Sequence, residues 1–347
     1  MATAIAASAD LDAYVRRIVA IHFDPRDGAA YWIEKAQALN IDARAQLTSF
    51  DALAALGPMD EDALRTRSVL DFVPASRHSH LAGAIRAETG GATGQPKRTL
   101  FTRAEFHAAF VAPFVTAAEI AHFPRGGNWL WAGPSGPHII GQAAAACAQA
   151  LGSPQPFAID FDPRWFRRLT PESTGRLRYL QHLVDQALAI VAAEPIDVIF
   201  TTPVLLARLA EAMSAAQRQR IRGVHYGGMR VEADMLARAQ HDWFPNAVHL
   251  AGYGNSLFGL CMEFGGQPDR ILRYYPLGLR HQVRVDADNR VWMSRLDETI
   301  FIPNLPERDR AEAADLPQAL ADLGYQPGVA APGPRATPEK VPDLGIY

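Results

Sequence analysis

Apolar positions along this chain change their spacing twice. Over residues 10–70 they recur at helical intervals. Tyr14, Ile18 and Ile21 share one face of a helix predicted over residues 11–21, with Asp10 as its cap. A second helix is predicted over residues 29–38, and a third segment, 50–57, stops at a glycine. From about residue 80, short apolar runs alternate with helical stretches. The runs at 83–87, 128–132, 157–161, 196–200, 221–226 and 247–253 read as strands. Helices are predicted over 102–123, 179–193, 204–213 and 232–240, with another, Ala-rich, after His138. The first of these opens on Thr102-Arg103-Ala104-Glu105, a capping-box pattern. Strands alternating with helices predict an α/β fold, with parallel strands joined by right-handed crossovers. Beyond residue 265 the pattern turns to β. Strands are predicted at 270–275, 281–286 and 290–295, then a charged helix at 307–322 and an irregular Pro/Gly-rich end from Gly324. Four regions follow: a helical segment (1–80) packed on the core, an α/β core (81–265), a small β-rich subdomain (266–312) and an irregular tail (313–347).

The candidate chemistry sits where a strand meets a loop. Residues 88–99 read ETGGATGQPKRT. Gly90, Gly91 and Gly94 let the backbone approach a ligand closely, and a turn of exposed N–H groups suits phosphate oxygens. Thr89 and Thr93 add hydroxyl donors, and Lys97 adds a point charge. Gln95-Pro96 separates Gly94 from Lys97, so this is not a Walker loop. Ligands of open α/β sheets bind beyond the carboxyl ends of the strands, which here are rich in Gly, Thr, His and Tyr. A net charge of −3 gives no broad basic field for nucleic acid. The two cysteines, Cys147 and Cys261, are far apart and read as reduced thiols of a cytoplasmic protein. No apolar run reaches membrane-spanning length, and the N-terminus lacks a signal-peptide pattern. His78 and His80 have no carboxylate or cysteine nearby in sequence, so no metal site is assigned.

The order of motifs resembles the acyl-adenylate-forming (ANL) superfamily of acyl-CoA synthetases, adenylation domains and luciferases, closest to its phenylacetate-CoA ligase branch. TGGATGQPK is similar to the family's ATP loop. PIDVIFTTPVLLARLAE, VHYGGMRVEADMLARA and AGYGNSLFG follow in the family's order. The resemblance implies the fold of the family's large N-terminal domain, with doubly wound sheets and a small β-subdomain. It implies that Thr89, Gly90, Gly91, Thr93, Gly94 and Lys97 hold ATP phosphates. Gly227 and Gly228 would border the adenine and Tyr253 would stack on it. Gly254, Asn255 and Ser256 would lie near the ribose and α-phosphate, Asp309 would bind the ribose and His138 would face the acyl pocket. Lys97, Ser256 and His138 are then the candidate catalytic residues. Trp129, Trp131 and Phe258 are candidate aromatic lining.

The sequence also departs from that pattern. Leu257 stands where the family has a glutamate that helps hold Mg2+, with Glu263 as a candidate replacement, and Met229 follows Gly227-Gly228 in place of a glutamate. The small C-terminal domain and its lysine are expected to be absent. Shortened members of this kind resemble proteins of phenazine antibiotic biosynthesis. The implied function is ATP- and Mg2+-dependent activation of a small aromatic carboxylate, such as a phenazine carboxylate, for an acceptor or reductase enzyme in trans. Two alternatives stand beside it: a degenerate binding protein for an aromatic acid or its adenylate, and an acyl-transfer subunit needing a partner domain. A homodimer is a further candidate assembly.

Overall fold

One mixed sheet organises the chain. The computed structural model describes residues 2–91, 94–264 and 271–334, with side chains from residue 9 onward. Five strands make the parallel half: β3 (Asn128–Ala132), β4 (Phe157–Ala158), β5 (Ile196–Thr201), β6 (Gly223–Gly227) and β7 (Val248–Asn255), in the order β4-β3-β5-β6-β7. The sheet continues antiparallel through β8 (Gly259–Glu263), β9 (Arg273–Pro276), β13 (Gly328–Pro334), β12 (Phe301–Ala314), β11 (Arg290–Leu296) and β10 (His281–Val285). The β-rich region is therefore continuous with the parallel half, through β8. A separate hairpin pairs β1 (Ile85–Glu88) with β2 (Arg98–Phe101).

Core side chains follow the strand patterns. β5 is Ile-Asp-Val-Ile-Phe-Thr, with every residue but Asp197 buried, as expected for a parallel strand covered on both faces. The helix Thr174–Ala193 buries Leu180, Leu183, Val184, Ala187 and Val191 at helical spacing. The N-terminal helices Ala2–His22 and Ala30–Leu39 pack against the start of β12: the Trp32 indole N–H donates to the Phe301 carbonyl at 3.1 Å. Both cysteines are buried and free. Among the described residues, no helix is long and apolar enough to cross a membrane.

Several expected elements are corrected. Asp10 lies inside the first helix, whose Ala-rich start has high helix propensity, and does not cap it. The strand expected over residues 157–161 is only Phe157–Ala158: beyond it the Asp160 N–H donates to Gln186 at 2.9 Å instead of to a neighbouring strand, and the Asp162 side chain caps Pro163–Arg168. Residues 307–314, expected to be helical, belong to the long strand β12. Its backbone bonds to β11 on one side and β13 on the other, which overrides the helix preference of its charged residues. The segment after Gly324, expected to be irregular, contains β13. Ala331, at φ +48°, absorbs a bulge there, and the strand is paired on both sides only near Val329 and Ala330.

Candidate functional site

The carboxyl ends of β5, β6 and β7 face the β1–β2 loop and the middle of β12 across a cleft of about 300 Å³. Of the residues expected to act together, Thr89, Gly90, Gly91, Lys97, Gly227, Gly228, Gly254, Asn255, Ser256 and Asp309 all line it. A larger, open groove of about 1090 Å³ beside the N-terminal helices brings no comparable set of polar groups to one point. Convergence of groups, not volume, marks the candidate site.

The loop wall closes on itself. The Thr89 N–H donates to the Lys97 carbonyl, and the Lys97 N–H donates back to Thr89 Oγ1, both at 2.9 Å. Gly91 sits at φ +69°, a left-handed conformation that a β-carbon would strain. Arg164 holds Glu88 at 2.6 Å, and Arg167 donates to the Gly90 carbonyl. Lys97 Nζ is paired with Glu61 at 2.5 Å, and Arg65 binds the same carboxylate at 2.9 Å. Glu61 and Arg65 come from the short helix Glu61–Thr66, so the N-terminal segment contributes to this wall. Thr93 lies outside the described residues. Gly94 is described but does not line the cleft.

The opposite wall joins β7 to β12. At Gly254 a β-carbon would stand 1.9 Å from the Gly259 carbonyl oxygen, so only glycine fits this turn. The Asn255 amide donates to Glu307, and Asn255 Oδ1 accepts the Leu257 N–H at 2.8 Å. Burial and the neighbouring Asp309 push the Glu307 carboxyl up to about 7. Burial also raises Asp309, while the bond from Tyr253 opposes that shift. The Tyr253 hydroxyl donates to Asp309 at 3.1 Å, and its ring packs at 5.7 Å from Tyr274. Tyr253 is thus behind the wall, braced between β9 and β12, and does not present a face to the cleft as expected.

The far end of the cleft is apolar, formed by Phe110, Ile139, Ile140, Phe200, His225 and Leu260. Phe110 reaches it from a widened helical turn, His107–Val111, where Pro113 prevents a regular ladder; Cys147 Sγ–H donates to the Phe110 carbonyl at 3.7 Å. The His225 ring lies 4.2 Å from Phe200 and 4.8 Å from Phe114. Its Nδ1 is 3.0 Å from the Leu250 carbonyl, which only accepts, so Nδ1 carries the proton. Burial lowers the His225 pKa to about 4, leaving the ring neutral.

Other expected residues fall elsewhere. His138 is buried at the start of the helix Ile139–Ala150, and it is the next two residues, not His138, that line the cleft. Burial and the nearby Arg164 and Arg167 lower its pKa to about 4. Glu263 does not replace the missing glutamate: it points into the core near Tyr226 and Tyr274, and burial raises it to about 7. Trp129, Trp131 and Phe258 are core residues that do not line the cleft: Trp131 packs 4.6 Å from Phe200, Trp129 lies against Phe114 and Phe123, and Phe258, in the turn between β7 and β8, stacks on His281. His78 binds the Val73 carbonyl at 3.2 Å. Glu61, Arg65, Phe110, Arg167, Phe200, His225 and Glu307 were not singled out from the sequence. Phe200 and His225 carried a signal, lying at or near the ends of predicted strands; the others did not.

Behind both walls lies a buried ionic clamp. Asp297 accepts from Arg295 Nε at 2.6 Å and from Arg280 Nε and Nη2 at 2.8 and 2.7 Å. Arg295 also donates to Thr99 Oγ1 at 2.8 Å, the Leu100 carbonyl at 2.8 Å and the Leu257 carbonyl at 3.1 Å, while Arg280 donates to the Phe258 carbonyl at 2.7 Å. The clamp ties the strand after the loop wall to the turn after Ser256. The two arginines hold the Asp297 carboxyl below its ordinary value despite burial.

No family model matches the sequence, and no curated protein is similar to it in sequence. Solved structures do match in fold. A 2-hydroxyisobutyryl-CoA ligase, in complex with 2-HIB-AMP and CoA in the thioesterification state, superposes with a TM-score of 0.59 at 14% identity, covering 94% of this chain and 68% of that one. Its open conformation, also with 2-HIB-AMP and CoA, gives a TM-score of 0.59 at 12% identity over 93% of this chain and 68% of that one. The chain thus spans about two thirds of those structures' length. At these identities the likeness is one of fold: the α/β class is the one the sequence predicts, and the single large mixed sheet is what the structure adds.

Proposed function

We propose that this chain activates a carboxylic acid with ATP, forming an acyl-adenylate and pyrophosphate. The observation that carries this reading is the gathering of Thr89, Gly90, Gly91, Lys97, Gly227, Gly228, Gly254, Asn255, Ser256 and Asp309, from four separate stretches, around one cleft. Its ends differ chemically as the reaction requires. The loop end offers backbone N–H groups, Thr89 and Lys97 to phosphate oxygens, with Asp309 as an acceptor for ribose hydroxyls. The apolar end offers Phe110 and Phe200 to the body of the acid, which favours an aromatic one.

In the reaction a carboxylate oxygen attacks the α-phosphorus, the bond to the bridging oxygen of pyrophosphate breaks, and the electron pair leaves with pyrophosphate. The chain's contribution is positioning and stabilisation of spreading phosphate charge. Mg2+ would be carried in with the nucleotide and neutralise that charge. Among the described residues no group of three or more His, Cys, Asp or Glu is arranged for a metal, so the phosphates would supply most of its ligands, with Glu307 and Asp309 the nearest carboxylates of the cleft. We assign the product to an acceptor or reductase enzyme acting in trans in the cytoplasm. Phenazine-type acids are the substrates to which the sequence resemblance points. Carboxylate-dependent ATP–pyrophosphate exchange across aryl and alkyl acids is the test: absence of exchange with every acid removes this reading.

One observation favours a second reading, a protein that binds the acid or its adenylate without making it. Lys97 is already neutralised by Glu61 at 2.5 Å, and buried Leu257 offers no carboxylate. Calorimetry showing binding of acids and none of ATP would select it.

A further inference from the structure

At the apolar end of the cleft, one histidine spends only one of its two ring nitrogens on the hydrogen bond the structure shows for it. His225 is 1% exposed, yet it lines the cleft. Its Nδ1–H is committed to the Leu250 carbonyl at 3.0 Å, and Phe200 and Phe114 hold the ring in place. The neutral ring therefore keeps a lone pair on Nε2. That edge is turned towards Gly252, another lining residue. A β-carbon at Gly252 would stand 3.2 Å from Cε1 and 3.5 Å from Nε2, so the bare glycine keeps the edge uncovered. Around it, Phe110, Ile139, Phe200 and Leu260 give a ligand no other acceptor side chain.

We propose that the acid taken by this site carries a hydroxyl or N–H donor on its apolar body, and that His225 Nε2 accepts the hydrogen bond from it. The inference rests on the adenylation reading and narrows its substrate class. A buried acceptor left unpaired costs free energy, so an otherwise identical acid without the donor binds less well. The same logic sorts phenazine-type acids. An oxidised phenazine turns acceptor nitrogens, lone pair to lone pair, towards Nε2, whereas a dihydrophenazine or a hydroxyphenazine offers a donor.

The experiment compares benzoate with its ortho, meta and para hydroxy and amino derivatives, in wild type and His225→Phe, by pyrophosphate exchange. At least one derivative should exceed benzoate in kcat/KM by about 10-fold to 100-fold, and His225→Phe should bring that ratio to about one. Equal use of benzoate and all its derivatives by the wild type, or a preference that survives His225→Phe, overturns the proposal while leaving adenylation standing. Exchange with no acid removes the adenylation reading and this inference with it. A second measurement needs no variant. The Nε2 nitrogen resonance of labelled wild-type protein should move on adding the preferred derivative and stay in place with benzoate. Movement with neither acid, where exchange occurs, also overturns the proposal.

Discussion

The two halves of the sheet build the cleft in different ways. The parallel half contributes backbone. Gly227 ends β6, Gly228 follows it, Gly252 and Gly254 lie in the second half of β7, and what they present is main chain and space. The antiparallel half contributes charge. Glu307, Arg308 and Asp309 project from β12, and Arg280, Arg295 and Asp297 lie buried behind them. The contrast teaches a division of labour: shape comes from strand ends, and electrostatics comes from a strand distant in sequence. A crossover turn can keep glycines wherever backbone must approach a ligand. A charge buried beside another charge needs a rigid frame with many donors, and the doubly paired β12 and β11 provide one.

The largest expected effect is on that frame. Arg295→Met removes the guanidinium that joins Asp297, Thr99 and two carbonyls, and leaves Asp297 with Arg280 alone. Breaking a buried pair from one side costs about 3–5 kcal/mol. Denaturant unfolding should show that loss, and hydrogen exchange should rise at both Thr99–Leu100 and Leu257–Phe258. Exchange that rises on one side only would mean the clamp does not couple the two walls.

The next effect is on the loop. Lys97→Ala removes a charged donor at the phosphate end and should slow pyrophosphate exchange by roughly 10²–10³ with little change in stability. Glu61→Gln tests the opposite sense. It frees Lys97 from its carboxylate partner, so ATP should bind more tightly. Unchanged ATP affinity in Glu61→Gln would show that the ion pair does not compete with phosphate.

The same division explains how much could be read beforehand. The parallel half was legible because its strands are short apolar runs that end in Gly and Thr, so periodicity and turn chemistry agree. Residues 128–132 and 196–200 come out within a residue of β3 and β5. The candidate glycines other than Gly94, with Asn255, Ser256 and Asp309, were legible as cleft residues for the same reason, or from motif order. The antiparallel half was not. The second half of β12, residues 307–314, reads as a helix because its charges follow no strand alternation; only pairing on both sides makes it a strand. β13 was hidden by its prolines and glycines, which a bulge at Ala331 accommodates. Glu61 and Arg65 were hidden because their role depends on a contact with Lys97, more than thirty positions away in sequence. Tyr253 was placed on the adenine because its position in the motif was legible, whereas its bond to Asp309 was not.

Proton linkage offers a finer comparison between the halves. His225, on β6, has its pKa lowered from 6.5 to about 4. Between those values the unfolded chain binds more protons, so this histidine makes stability fall as pH drops from 6.5 towards 4. Glu307, on β12, has its pKa raised from 4.5 to about 7. There the folded chain binds more protons, so its contribution is complete below pH 4.5 and is lost as pH rises through 7. The slopes are opposite in sign. Between pH 4.5 and 6.5, His225→Phe should make stability increase less steeply with pH, and Glu307→Gln should make it increase more steeply. Unfolding curves at several pH values check both; a shared sign would place at least one of these groups outside its described environment.

The smallest effect tests the contact that joins the halves. Tyr253 leaves β7 and hydrogen-bonds Asp309 on β12 at 3.1 Å. Tyr253→Phe keeps the aromatic ring against Tyr274 and removes only the hydroxyl. Stability should fall by about 0.5–1.5 kcal/mol, the ordinary net value of one such bond. Nucleotide binding separates two roles for this residue. If the ring alone met the adenine, AMP affinity would be unchanged in the variant. The observed geometry makes the hydroxyl a brace on Asp309, the ribose acceptor of the proposed function, so AMP affinity measured by calorimetry should fall. AMP lacking its ribose hydroxyls should bind wild type and variant alike. A loss of affinity equal for AMP and for this analogue would assign the effect to the wall as a whole and not to Asp309.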